Sequence, residues 1–121
     1  MGRPVRAEIA LADREMGRFI RAQYAELRKL GYPRMATFAR DIARGDIGMP
    51  PPTGEDPLMD AIGGFYFSLR EIDRRVLSDK YIGLEPETQR ARRVSQSVRQ
   101  NRTSIERLLL RCSGWLQARG F

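Results

Sequence analysis

Pro86-Glu87-Thr88-Gln89-Arg90-Ala91-Arg92-Arg93-Val94-Ser95-Gln96-Ser97-Val98-Arg99-Gln100-Asn101-Arg102-Thr103-Ser104-Ile105-Glu106-Arg107-Leu108-Leu109-Leu110-Arg111-Cys112 is the stretch on which the fold turns. It reads as two amphipathic helices joined by a short turn. The first is predicted over residues 86–97. Pro86 starts it, where a fixed φ is favourable, and Glu87 sits in its first turn, where a negative charge meets the positive helix end. The second is predicted over residues 102–119, with Gly120 just past its end. A helix-turn-helix needs a small residue where the helices cross, apolar inner faces and a polar cap on the second helix. Ser95 is the small residue. Val94 and Val98 face inward from the first helix; Ile105, Leu108, Leu109 and Cys112 do so from the second. Arg99 falls at the turn position that glycine usually holds. Asn101 is the predicted N-cap, its side-chain oxygen accepting from the backbone N–H of Thr103 or Ser104.

The polar face of the second helix carries the candidate chemistry. Arg102, Thr103, Glu106 and Arg107 lie on its first two turns, where a recognition helix meets base edges. Arginine pairs bidentately with guanine, and glutamate accepts from cytosine N4. Arg90, Arg93, Arg99, Ser104 and Arg111 are the expected phosphate contacts, which position a protein on DNA without reading sequence. Charge is concentrated on the same segment. Residues 86–121 hold 8 basic and 2 acidic groups, net +6, in a chain whose total is +7. Residues 1–55 carry +3 and residues 56–85 carry −2. Such a localised excess favours duplex DNA as a partner, with a steep salt dependence. A solvated basic face on an ordinary helical pair is the plainer reading of the same pattern.

Upstream, residues 5–30 read as one long helix, with Ile9, Met16, Ile20, Leu27 and Leu30 at helical spacing and Tyr24 beside them. Its apolar stripe either packs on the C-terminal helices or pairs with another protomer. Arg6, Arg14, Arg18, Arg21 and Arg28 form its polar face, balanced by Glu8, Asp13, Glu15 and Glu26. Gly31 and Pro33 end it, and a short helix is predicted over residues 35–44. Residues 45–55 hold three prolines and three glycines and read as a linker between residues 1–44 and a helical domain over 56–121. Asp56-Pro57 is a helix start. The apolar stripe then runs through Leu58, Met59, Ile62, Phe65, Tyr66 and Leu69, and on through Ile72, Val76, Leu77 and Tyr81. A break between two helices is predicted near Ser68 or Arg70, and Gly83 ends the segment. Phe65, Tyr66 and Phe67 read as core rather than as a base-stacking platform, and Trp115 as core rather than as a partner contact. Nothing resembles a strand pair, so the fold class is all-α: a small helical domain with a C-terminal helix-turn-helix and a long N-terminal helix.

Composition removes other functions. The chain has no histidine and one cysteine, which excludes zinc fingers, an internal disulfide and histidine-based catalysis. Asp56, Asp60, Asp73 and Asp79 are scattered, with no second motif to make a metal or acid–base site. No enzyme activity and no cofactor are expected. No run of apolar residues is long enough to span a membrane, and no apolar leader segment is visible. A soluble, cytoplasmic protein is expected.

Residues 72–118 resemble region 4 of bacterial sigma factors and the sigma-like modules of phage regulators. The shared order is a helix with Arg75-Val76-Leu77 and Tyr81, then a helix-turn-helix ending in Ile105-Glu106-Arg107-Leu108-Leu109. The whole chain resembles the phage antitermination protein Q family more closely. The likeness lies in Leu30-Gly31-Tyr32-Pro33 after a first helix, a Pro-rich linker and a sigma-like helix-turn-helix. The resemblance implies a DNA element near a late promoter as target. It also implies host RNA polymerase, with or without its sigma factor, as partner, and read-through of terminators as outcome. Two other readings fit the residues: a helix-turn-helix repressor or activator, and a small DNA-packaging protein of the terminase small-subunit kind.

Overall fold

The computed structural model describes residues 4–29, 54–83 and 86–121. The predicted helix over 35–44 and all of the predicted linker except Gly54 and Glu55 lie outside the described residues. The described chain is all-α, with five helices: α1 (Pro4–Lys29), α2 (Pro57–Ser68), α3 (Glu71–Ile82), α4 (Glu87–Arg93) and α5 (Val98–Ala118).

Helix α1 lies along α5 and also touches α2 and α3. It buries Ile9, Ala12, Met16, Phe19 and Ile20. These residues share one face at the spacing expected of an amphipathic helix. Burying each of the larger side chains is worth about 1.5–3 kcal/mol. The stripe therefore packs on the protein's own C-terminal helices. Gly17 makes this possible on the α3 side: a Cβ there would meet the Tyr81 ring at 3.0 Å. The α1 arginines are partly neutralised. Arg14 and Arg18 pair with the buried Glu15, at 3.2 and 3.5 Å, and Arg18 also pairs with Asp56.

Asp56 caps α2, its carboxylate accepting from Met59 N–H at 3.1 Å, with Pro57 at the first helical position. Leu69 and Arg70 form the break before α3, as the sequence predicts. Phe65 and Tyr66 are core residues. Phe19 packs on the rings of Tyr66 and Phe67, and Phe65 on Trp115. Trp115 Nε1 donates to Ala61 O at 2.9 Å, so the indole is tied to α2. Ile72 departs from the predicted stripe and is exposed. In a helix that begins at Glu71, the inward face belongs to Val76, Leu77 and Ile82.

The helix-turn-helix is present, but its turn lies earlier than predicted. Helix α4 stops at Arg93, four residues before the expected end. Ser95 adopts φ +57°, the left-handed region. Gln96 N–H bonds to Ala91 O at 2.8 Å and Ser95 N–H to Arg92 O at 2.9 Å. This pair of bonds is a Schellman motif, with serine where glycine is usual. Helix α5 then begins at Val98, four residues before the expected start. Ser97, not Asn101, is its N-cap. Ser97 Oγ accepts from Gln100 N–H at 3.1 Å, and the Gln100 side chain accepts from Ser97 N–H at 2.8 Å. This reciprocal capping box satisfies two otherwise orphan donors. Arg99 is thus an ordinary helical residue and needs no turn conformation. Asn101 lies inside the helix, buried, and donates to Gln96 Oε1 at 3.2 Å.

Candidate nucleic-acid interface

Helix α5 is fixed from beneath. Asn101, Ile105, Leu108, Leu109, Cys112 and Leu116 are buried on its inner face. Its far end closes in a second Schellman motif, with Gly120 at φ +85° and Phe121 N–H bonded to Leu116 O at 2.9 Å. Burial alone pushes the Cys112 thiol up to about 12. With its inner face committed, the helix presents an outer face of fixed composition.

On that outer face, Arg99, Thr103, Arg107 and Arg111 recur every fourth residue and all are exposed. A span of twelve residues at 1.5 Å each makes a stripe about 18 Å long. Arg99, Arg107 and Arg111 take part in no ion pair among the described residues. Arg92, in the last turn of α4, is exposed as well. Sequence reading passed over Arg92 in favour of its neighbour Arg93. The ion pair of Arg93 with Asp79 on α3 is what separates the two.

The stripe borders a cleft of about 1270 Å³: Arg99 and Thr103 line it with Arg90, Arg102 and Glu106, together with Ile9 and Asp13 of α1 and Lys80 of α3. Arg102 is bound side-on by Glu87: Nε donates to Oε1 at 2.7 Å and Nη2 to Oε2 at 2.9 Å. These bonds hold the Glu87 carboxyl below its ordinary range. Glu106 is half-buried. Arg90 turns inward and donates to Lys80 O at 3.3 Å. Arg93 donates to Asp79 Oδ1 at 3.2 Å. Ser104 accepts from Gln96 Nε2 at 3.2 Å and secures the turn. Arg90, Arg93 and Ser104 are therefore tied into the protein, whereas Arg99 and Arg111 are exposed. Thr103 and Arg107 stand at the centre of the stripe, with Arg102 and Glu106 at its border.

Compared with family models, curated proteins and solved structures, the chain has no match. No helix among the described residues is long and apolar enough to cross a membrane.

Proposed function

We propose that this chain is a DNA-binding transcription regulator that lays the first four turns of α5 against duplex DNA. The observation that carries this reading is the stripe of Arg99, Thr103, Arg107 and Arg111, exposed on a helix whose opposite face is locked in the core. Guanidiniums that form no ion pair among the described residues are available to replace the counterions condensed on a phosphate backbone. Thr103 and Arg107, with Arg102 beside them, are the base-reading side chains; Arg99 and Arg111, with Arg92, meet phosphates.

The finer reading is a phage antiterminator of the Q type, acting in the host cytoplasm on RNA polymerase. It is supported by the resemblance of the helix order and of the helix-turn-helix to that family. A run-off transcription assay tests it. Added protein should raise terminator read-through only on a template that carries its own promoter-proximal element. Equal read-through with and without protein on that template would sink the antitermination reading. Repression or activation of initiation on it would assign the repressor or activator role.

A further inference from the structure

We propose that Glu87 is the positioning residue for Arg102. It holds the guanidinium side-on so that the free end forms a ready-made fork for a guanine, and it thereby sets discrimination at that base pair. The inference rests on the DNA reading above. It concerns a residue in the first turn of α4 that has no other assigned role.

The geometry is specific. A guanidinium carries five N–H groups in one plane. Glu87 takes the Nε proton and the adjacent Nη2 proton, using both of its carboxylate oxygens. Both Nη1 protons and the second Nη2 proton are left. Two of these point in parallel from the end of the side chain, the arrangement that guanine O6 and N7 accept. The Arg102 side chain is 69 % exposed. Arg102 stands in the second turn of α5, where a recognition helix meets bases.

Stability is not what the pair supplies, because an exposed ion pair contributes little to folding. A free arginine, by contrast, must give up its rotamer freedom when it binds. Fixing it beforehand is worth about a two- to tenfold gain in affinity. The pair is also neutral overall, so Arg102 adds little to sequence-independent attraction for phosphate. Removing Glu87 should therefore move two quantities in opposite directions, which loss of a merely structural contact would not do.

The test uses the full chain and a duplex selected by it from a randomised library. Two further probes are the same duplex with 7-deazaguanine at the most strongly selected guanine and a scrambled duplex. Wild type should prefer the selected duplex over the deaza form by about tenfold or more. Arg102→Ala should abolish that preference. Glu87→Ala should lose about two- to tenfold of it while binding the scrambled duplex more tightly. Glu87→Gln, which keeps one acceptor oxygen, should fall between. A Glu87→Ala protein that keeps the full preference overturns the proposal, as does an Arg102→Ala protein that keeps it. A wild-type protein that binds selected and scrambled duplexes equally would instead sink the reading of α5 as a recognition helix, and this inference with it.

Discussion

Arg93 reaches from the last turn of α4 to Asp79 on α3, Nη1 to Oδ1 at 3.2 Å, and shares that buried carboxylate with Arg75. Asp79 is 3 % exposed. Burial pushes its carboxyl above the ordinary carboxylate range, against the downward pull of the two guanidiniums. The contact anchors the helix-turn-helix to the rest of the bundle. Asp79→Ala should therefore cost about 3 kcal/mol of stability, because two half-buried arginines lose their acceptor. Asp79→Asn should cost less, since it keeps an oxygen acceptor and removes a charge that burial disfavours. Urea unfolding measures both. An Asp79→Ala protein within about 0.5 kcal/mol of wild type, the range of ordinary surface changes, would contradict the anchor. By the same contact, Arg93→Ala should lower stability more than it lowers DNA affinity.

Ser95 holds the left-handed position of the turn at φ +57°. A side chain there costs about 1–2 kcal/mol, and glycine escapes the cost. Ser95→Gly should raise stability by up to about 1 kcal/mol, or the melting temperature by about 3–6 °C in a chain of this size. Ser95→Val, which is branched at Cβ, should lower it. Thermal melts that rank valine above glycine would show that the turn takes another conformation.

The way these two residues behave shows what could be read in the sequence. The long α1, the Asp56 cap, the break at Leu69 and the inner face of α5 all follow from apolar spacing and capping chemistry, which are local. The turn was misplaced by four residues because Asn101 and Ser97 are both good N-caps. Only Ser97 has a glutamine three residues on to complete the box, and that signal was present at Gln100. The fates of Arg90 and Arg93 were not legible. Both spacing and charge allowed them to face DNA, and only the tertiary approach of α3, with Asp79 and the Lys80 carbonyl, turns them inward. Arg102 was found as a candidate, but its partner Glu87 lies 15 residues away on another helix.

Cys112 is buried in the core, its thiol held by burial at about 12. The thiolate is the reactive form. In the folded protein at pH 8, Cys112 should resist a disulfide reagent over hours, and it should react within seconds to minutes in strong denaturant. Its reaction rate then reports core opening without a label. Immediate reaction in native buffer would place α5 off its bed on α1.

Glu87 supplies a pH signature. Arg102 lowers its folded-state value, so the ion pair is intact above the ordinary value of 4.5 and is lost as pH falls through the lowered one. Carboxyl titration by NMR should put the Glu87 midpoint below 4.5 in wild type and return it towards 4.5 in Arg102→Ala. An identical midpoint in the two proteins would show that the bidentate contact does not persist in solution.

The most direct test of the central claim, that duplex DNA rests on the α5 stripe, is the salt dependence of binding to a random duplex. Fluorescence anisotropy across a salt series gives the slope of log K against log salt. Each phosphate contact removed should flatten it by about 0.9. The triple variant Arg99→Ala, Arg107→Ala and Arg111→Ala should therefore lose about 2.7 from the wild-type slope. Arg14→Ala, on the paired face of α1, should leave it unchanged. A triple variant that binds with the wild-type slope would contradict the account.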